Sequence, residues 1–288
     1  MKKNMQKCPC GSGKAFSDCC EKFLRAPKNY VWGTNHETIL FDWLNTYSKP
    51  IINSFIRKTR PYVFRISSYL DCIIKEYFDL EVEGCFHNKV EVNDTIFSIK
   101  NNILHSLLAS FVCACQGLFL QSGTQLRSMI EDCLVLIDFS ENPGQLNKYL
   151  KGKYSTNNLL TRVKPYIPQN IVAWYGCFSA NYTHFGPLHS ATYLPTGCYG
   201  DNYVLVIVLR NLVRAIVSFH IVLERIHFNQ IESPILWSYE EAESKYSFCD
   251  NSQIFDWAEE LGNDIVAHFP PDERKEGFIY SSKQYIEK

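Results

Sequence analysis

Apolar residues recur at intervals of three and four along most of the chain, which is the spacing that places them on one face of a helix. The clearest example is the segment 51–78, where this spacing is found on both sides of Pro61, which is expected to interrupt the run. Further helices are predicted at 38–47, 157–164, 168–183, 202–227 and 252–268. The sequence therefore predicts an all-α fold, a helical bundle in which each helix buries an apolar face.

The segments between these helices differ in character. In residues 79–95, valines alternate with acidic residues around Gly84, which indicates either a short hairpin or an exposed loop. Residues 144–154 are polar and are expected to form a connection. The glycines and prolines of 186–201 are typical of a loop.

Residues 101–126 contain no charged side chain. Their length is sufficient to span a membrane. However, the segment holds His105, Gln116 and Gln121, and it lacks the flanking aromatic and basic residues that anchor membrane spans. We therefore expect a central buried helix that continues to Ile137, and no membrane span.

The N-terminal segment holds four cysteines in two close pairs, Cys8 with Cys10 and Cys19 with Cys20. Four thiolates at this spacing can surround a Zn²⁺ ion as a tetrahedron, and the glycines between the pairs let the chain turn back around the metal. Disulfides are the alternative, but they need an oxidising compartment, and we find no apolar segment of the kind that a signal peptide contains. Since four cysteines complete the coordination shell, the predicted zinc is structural.

Eight further cysteines are scattered along the chain without paired ligand spacing, apart from Cys113 and Cys115. Free cysteines are usually buried, so we interpret these as buried thiols and not as a second metal site. Thiols in this number are typical of a reducing compartment, which predicts a cytoplasmic protein. The whole chain has a net charge of −1, yet residues 1–28 are basic. This excess is expected to offset the thiolate charge at the predicted zinc site, and contact with an acidic partner or RNA is the alternative.

Within residues 8–20, the run Cys-Pro-Cys-Gly-Ser-Gly-Lys, followed by a phenylalanine and a cysteine pair, resembles the SEC-C motif. That family occurs at the C-terminus of the SecA translocase motor and as an accessory module in many bacterial proteins. The resemblance implies a zinc-binding interaction module that contacts a protein partner or a ribosome or RNA partner. Its implied ligands are Cys8, Cys10, Cys19 and Cys20.

These features divide the chain into three predicted parts. Residues 1–27 form the zinc module, residues 28–235 form a helical domain, and residues 236–288 form a C-terminal helix and tail that pack on that domain. A module as small as the first part cannot bury enough surface to fold unaided. Metal binding is therefore expected to supply its folding free energy.

One group of polar residues in the helical domain is a candidate functional site. Arg127 and Glu131 lie one helical turn apart, and Tyr175, Ser179 and His184 follow at the end of a later helix. Helix ends that lead into loops are common positions for sites. The arrangement weakly resembles uncharacterised bacterial all-helical domains, including some near the HEPN superfamily. A hydrogen-bond network that only holds helices together is the alternative interpretation.

A second candidate pair follows from the same resemblance. HEPN ribonucleases cleave RNA without metal by using an arginine and a histidine four to six residues apart, usually across a dimer, and Arg214 and His220 have this spacing. The resemblance implies a toxin or phage-defence ribonuclease, with His184 or His220 as general acid–base and Arg127 or Arg214 stabilising phosphate charge. On a straight helix, however, residues six apart lie about 120° away from a shared face. A surface arginine and a core histidine are therefore the alternative.

Other enzyme classes lack their motifs, since the chain has no P-loop, no dinucleotide-binding glycine motif, no H-E-x-x-H and no G-x-S-x-G. The function predicted first is that of a cytoplasmic bacterial protein whose zinc module binds a protein or ribonucleoprotein partner. The ribonuclease is the alternative. The sequence leaves open whether the helical body is catalytic and whether the protein forms a homodimer.

The cysteine pattern predicts that the reduced protein carries about one zinc ion per chain, since four thiolates complete one tetrahedral site. Metal analysis after dialysis under reducing conditions measures this ratio. We expect Cys19→Ser to lower the zinc content, whereas Cys72→Ser, outside the motif, leaves it unchanged. A zinc content well below one per chain in the wild type would remove the assignment.

Overall fold

The computed structural model of the protein describes residue 15 and residues 48–81, 89–183, 202–243, 245–249 and 253–269. Several predicted features lie outside these residues. They are the helix at 38–47, the loop at 186–201, the ligands Cys8, Cys10, Cys19 and Cys20, and the candidate His184.

The all-α prediction is confirmed, because the described residues form eight α-helices and one small hairpin. The helices are α1 Ser48–Tyr77, α2 Lys89–Cys115, α3 Phe119–Glu141, α4 Pro143–Leu150, α5 Leu159–Val163, α6 Gln169–Phe178, α7 Asn202–Ile226 and α8 Gln253–His268. The strands are β1 Trp237–Glu240 and β2 Lys245–Phe248. A π-helical turn, Ser179–Thr183, continues α6, and short 3₁₀ turns occupy Lys164–Tyr166 and Phe228–Gln230.

Pro61 does not interrupt α1, although it lies inside the helix. A proline removes one backbone donor, and the carbonyl four residues earlier then loses its partner. Pro61 and Arg57 are both exposed, so this carbonyl can bind water instead. The helix therefore continues to Tyr77, and the expected interruption at Pro61 is wrong.

The expectation of one central buried helix through residues 101–137 is wrong. The chain turns between α2 and α3 at Gly117, whose φ of 78° is accessible to glycine at little cost. The amide of Leu118 donates to the carbonyl of Cys113 at 2.8 Å, which ends α2. The two helices then pack against each other, and the buried hydroxyls of Ser110 and Ser122 share a hydrogen bond of 2.9 Å.

Two other local predictions differ from the structure. Residues 89–95 belong to the first turns of α2 and not to a hairpin or loop, and residues 144–150 of the predicted connection belong to α4, which starts at Pro143. Proline favours the first turn because its φ is already helical and its missing donor is not needed there. The sequence analysis also missed the hairpin of β1 and β2, although aromatic and polar residues alternate in both strands.

The core is built around α3 and α7, which pack against each other. Residues 133–139 of α3 and residues 215–225 of α7 are buried without interruption, so these helices have neighbours on all sides. Among the described residues, α2 and the stretch Val204–Ile226 of α7 are long and apolar enough to cross a membrane. In α7 that window is 83% buried inside the protein, as expected of a core helix, whereas in α2 it is 33% buried.

The buried polar groups of α7 connect it to its neighbours. Glu224 accepts hydrogen bonds from the backbone amides of Leu236 and Trp237, at 2.6 and 3.0 Å, which fixes the start of the hairpin on α7. Arg225 forms an ion pair with Glu141 of α3, and its guanidinium carbon lies 3.4 Å from the ring centroid of Tyr246 in β2. The hairpin is therefore attached to the core by buried polar contacts.

His220 is buried between two tyrosines of α1. Its Nδ1 lies 2.6 Å from the hydroxyl of Tyr69 and its Nε2 lies 3.1 Å from the hydroxyl of Tyr77. A neutral imidazole has one donor and one acceptor nitrogen, so it satisfies both contacts. Burial lowers the pKa of His220 to about 4, and the histidine is therefore neutral near pH 7.

A buried lysine closes the C-terminal end of α1. The ammonium group of Lys100 donates to the backbone carbonyls of Phe78 and Leu80, at 2.7 and 2.9 Å, and to that of Tyr77 at 3.3 Å. Its three donors thus bind carbonyls at and just beyond the C-terminal end of the helix, where intrahelical donors are lacking. Burial lowers its pKa to about 8, so the group is still charged at pH 7.

Helix α8, predicted at 252–268, forms at Gln253–His268 and packs on α7 and α1. Its residues Ile254, Leu261 and Ile265 are buried. At the exposed edge, Asp264 accepts a hydrogen bond of 2.6 Å from Arg65 of α1. The domain boundaries at 27 and 235 stay predictions.

The burial of His220 predicts a pH dependence of stability. Since its folded pKa is about 4 and its ordinary value is 6.5, the unfolded chain binds a proton in this range that the folded chain does not bind. The free energy of unfolding therefore falls as the pH decreases, and this histidine accounts for about 2 kcal/mol between pH 7 and 5.

Urea unfolding of the wild type and of His220→Gln at both pH values measures this contribution. We expect the variant to be less stable at pH 7 but to lose about 2 kcal/mol less on acidification, because glutamine does not titrate. His105→Gln, at an exposed position, is the control and retains the wild-type pH dependence. Parallel pH profiles for His220→Gln and the wild type would contradict the assignment.

Candidate functional site

Four of the five residues in the first predicted group meet between α3 and the end of α6. Arg127 donates from Nη1 to Glu131 at 2.5 Å, from Nη2 to the hydroxyl of Tyr175 at 2.8 Å, and from Nε to the hydroxyl of Ser179 at 3.4 Å. The fifth residue, His184, lies outside the described residues. We call these four residues the Arg127 cluster.

The Arg127 cluster is about one quarter exposed at its charged groups, with 26% for the Arg127 side chain and 22% for Glu131. Every guanidinium nitrogen has a protein partner, and the guanidinium carbon also lies 5.2 Å from the ring centroid of Tyr175. The cation therefore joins α3 to α6. Three of its five N–H donors are thereby used on protein groups.

Asp132 adds a second carboxyl group beside the cluster. Burial raises the pKa of Asp132 to about 6, and the negative charge of Glu131 acts in the same direction. A carboxyl group with this pKa can take up or release a proton near neutral pH. The sequence analysis did not single out Asp132, because its burial depends on how α3 is covered.

Tyr182, in the π-helical turn, holds the end of α6 against two core helices. Its backbone carbonyl accepts a hydrogen bond of 3.2 Å from Thr124 of α3, and its hydroxyl accepts one of 2.6 Å from Asn211 of α7. The ring lies over Gly123 of α3, where a Cβ atom would be 2.2 Å from the ring carbon Cδ1. Glycine at 123 is therefore what permits this close approach.

The predicted pair of Arg214 and His220 is not brought together. Arg214 donates to Asn211 at 3.3 Å and lies on the side of α7 that meets Tyr182 and Cys177, where burial lowers its pKa. His220 lies instead between the tyrosines of α1. The helix geometry explains this separation, since residues six apart lie on different faces.

No group of three or more metal-ligating side chains occurs in the part of the chain that the structure describes. The six cysteines described there are free, and two of them, Cys115 and Cys133, are buried. Burial raises the pKa of Cys115 to about 11 and that of Cys133 well above its ordinary value, so both are neutral thiols. Cys72, in contrast, is exposed, so the expectation of a buried thiol is wrong at this position.

The contact between Gly123 and Tyr182 predicts different effects for two glycine substitutions. We expect Gly123→Ala to lower the free energy of unfolding by about 1–3 kcal/mol, because the added methyl group collides with the ring. Gly176→Ala is the matched helical control, since nothing lies within 4 Å of its added Cβ. It is expected to stabilise the protein by up to about 1 kcal/mol. Urea unfolding followed by circular dichroism measures both changes, and equal effects would refute the packing described.

Comparison with known proteins identifies one short segment of the chain. No curated protein and no solved structure matches the sequence. Residues 6–22 match the SEC-C motif family, which covers the cysteine pairs and confirms the resemblance seen in the sequence. The N-terminal segment of this chain is therefore a SEC-C motif, a module of the zinc-binding type.

Proposed function

We propose that the protein is a cytoplasmic adaptor whose N-terminal SEC-C module binds one structural zinc ion and docks a protein or ribonucleoprotein partner. The observation that carries the proposal is the match of residues 6–22 to the SEC-C motif. The helical body then acts as the folded platform that carries the module.

The donor set supports a structural role for the metal. Cys8, Cys10, Cys19 and Cys20 supply four thiolates, which suit Zn²⁺ and leave no open coordination position for a water molecule. The metal would hold the two cysteine pairs together and so stabilise the fold of the module. Lys7 and Lys14 lie close in sequence and would offset part of the thiolate charge.

The contacts of the helical body favour a platform over a ribonuclease. The nitrogens of Arg127 are all bonded to protein groups, and His220 is enclosed by Tyr69 and Tyr77. A residue that stabilises phosphate or transfers a proton must instead reach the substrate. The candidate His184 lies outside the described residues, so its role in RNA cleavage is tested by substitution.

A reducing compartment agrees with the cysteine chemistry of the body. The six described cysteines are free, and among them Cys72 is exposed at the surface. Exposed thiols persist where glutathione and thioredoxin keep them reduced, as in the cytoplasm. The same conditions keep the four zinc ligands available as thiolates.

Affinity capture from a bacterial lysate tests the adaptor function. We expect the wild type to retain a defined protein or ribonucleoprotein partner, and the double variant Cys10→Ser/Cys19→Ser to lose it, because the zinc site no longer forms. Cys72→Ser, at an exposed cysteine of α1, is the matched control and keeps the partner. Both captured protein and captured RNA are measured, which separates the two classes of partner.

The ribonuclease alternative has its own test. An adaptor leaves RNA intact, and His184→Ala and His220→Ala leave partner capture unchanged wherever the variant still folds. RNA cleavage by the purified wild type, lost in His184→Ala with the helical circular dichroism spectrum retained, would overturn the adaptor proposal. Partner capture that does not change in the double cysteine variant would overturn it as well.

A further inference from the structure

Residues 142–200 form the longest stretch of the chain without an acidic residue, although the whole chain has a net charge of −1. Their basic residues are Arg162 and four exposed lysines, Lys148, Lys151, Lys153 and Lys164. None of the four lysines forms an ion pair with another described residue. The positive charge of this segment is therefore not balanced within the described part of the helical body.

Three of the lysines gather at the C-terminal end of α4. Lys148 lies in the last turn of this helix. The chain then turns back at Gly152, whose φ is 65°, and the amide of Lys153 donates to the carbonyl of Lys148 at 2.8 Å. Lys151 lies within this turn, so three positive charges occur in six residues around one helix end.

Arg162 holds the connection that follows the turn. Its Nη2 donates to the carboxylate of Asp138 at 2.6 Å, and its Nη1 donates to the carbonyl of Asn157 at 2.7 Å. The hydroxyl of Tyr154 donates to the same carboxylate at 3.0 Å. Asp138 is buried and already paired with Arg162, so it does not neutralise the lysines. The contacts fix the positions from which the lysines extend into solvent.

Two tyrosines are exposed among the lysines. Tyr149 is 43% exposed and Tyr166 is 39% exposed. The ring centroid of Tyr149 lies 5.3 Å from that of Phe139 and 6.0 Å from that of Tyr154, which restricts its orientation. An exposed aromatic ring that is held in place offers a face on which a nucleic-acid base can stack.

We propose that the four lysines, together with Tyr149 and Tyr166, form a basic surface that binds single-stranded RNA. The ammonium groups attract the phosphates, and the rings stack on the bases whatever their identity, so the contact is independent of sequence. The choice of RNA rests on the cytoplasmic adaptor proposed above. The basic surface goes beyond that function, because it belongs to the helical body and not to the SEC-C module.

The basic surface supplements the docking of the module. Contacts of this sequence-independent kind have dissociation constants of about 1–100 μM at physiological salt. An RNA held only by the basic surface is therefore washed away during affinity capture from a lysate. An RNA already brought close by the module gains the additional contact.

The composition of the surface favours RNA over a lipid bilayer. A helix that lies on a membrane inserts apolar side chains below the headgroups. Between Pro143 and Tyr166, however, no Leu, Ile or Val is exposed, and residues 155–158, which are exposed, are all polar. The aliphatic residues Leu146, Leu159 and Val163 are buried in the body.

No other segment of the chain has a charge that matches the lysines. Outside the described residues, no segment has an acidic excess of more than two. Residues 1–28 are basic, and residues 270–288 hold four acidic and four basic residues. Residues 184–201, which follow the π-helical turn, hold one acidic residue. A polyanion from outside the chain is therefore the complementary partner.

One side of the basic surface is acidic. Glu91 and Asp94 of α2 line a groove together with Tyr149 and Leu150. Carboxylates repel phosphate groups, so the RNA strand follows the lysines around the end of α4 and does not enter this groove. Tyr149 lies at the border, where a base can stack while the neighbouring phosphate contacts Lys148.

Fluorescence anisotropy of a labelled 20-nucleotide oligouridine tests the basic surface, with the reduced, zinc-loaded, full-length protein. We expect binding at 50 mM salt that weakens about 50-fold at 200 mM, because four phosphate contacts on a single strand give a logarithmic slope of about −2.8. The variant Lys148→Gln/Lys151→Gln/Lys153→Gln is expected to bind at least about 10-fold more weakly at 50 mM salt, and its slope is smaller by about 2.

Two further variants separate charge from stacking and location. Tyr149→Leu is expected to weaken binding about 10-fold and to keep the wild-type salt dependence, because it removes stacking and no charge. The matched control Lys49→Gln/Arg60→Gln/Lys245→Gln removes three exposed charges from α1 and β2 and retains the wild-type binding. Circular dichroism confirms that each variant is folded.

Several outcomes would overturn the basic surface. They are the absence of oligouridine binding at 50 mM salt, equal weakening in the control variant, and competition by polyglutamate as strong as that by unlabelled oligouridine, which would indicate an acidic protein. Sedimentation with phosphatidylglycerol vesicles without oligouridine binding would indicate a membrane.

The variant Cys10→Ser/Cys19→Ser distinguishes this proposal from the adaptor function. We expect it to lose the captured partner but to bind oligouridine through the basic surface. If it loses oligouridine binding while the triple lysine variant keeps it, RNA binds the module, and only the basic surface is refuted. If partner capture is unchanged in the cysteine variant, the adaptor function fails, whatever the lysine variant shows.

Discussion

The burial of α7 is the constraint on which the other contacts of the helical body depend. An apolar helix enclosed by other elements needs partners inside the protein for most of its polar groups, because an unpaired buried group costs about 1–3 kcal/mol. The partners come from four directions, since α1, α3, the π-helical turn and the hairpin each contribute. The α7 residues that bind them are Asn211, His220, Glu224 and Arg225. Each neighbouring element is thereby fixed in position as well as packed.

The same principle explains the Arg127 cluster. Arg127 lies between α3 and α6, partly withdrawn from water, so its guanidinium needs several acceptors, and Glu131, Tyr175 and Ser179 supply them. A cation bonded in this way holds two helices together. The geometry thus agrees with a helical platform, while the match to the SEC-C motif lies elsewhere, in residues 6–22. The outer face of α2 differs from both, because its apolar side chains still lack a cover among the described residues.

Much of the fold could be predicted from the spacing of apolar residues, which depends only on local geometry. This holds for α1, α7 and α8, whose buried faces repeat every three or four positions. The turn at Gly117 could not be predicted so easily, because the end of α2 and the start of α3 lie in one uncharged run, residues 101–126, and a single glycine with positive φ divides it. The contact between Arg127 and Tyr175 could be suspected from the sequence, because both are polar residues on otherwise apolar helices. The role of Tyr182 could not, since it depends on Gly123, which is distant in sequence.

By itself, the sequence determined the helical class and the SEC-C motif, because helix periodicity and ligand spacing are properties of neighbouring residues. The tertiary structure decided which side of each helix is covered. It placed Arg214 and His220 in different surroundings. It also enclosed α7 and left one face of α2 uncovered by the described residues, although both helices are long and apolar enough to cross a membrane. The physical reason is that burial is a property of the assembled bundle. The residues of a helix determine which of its faces is apolar, but they do not determine which neighbouring element covers that face.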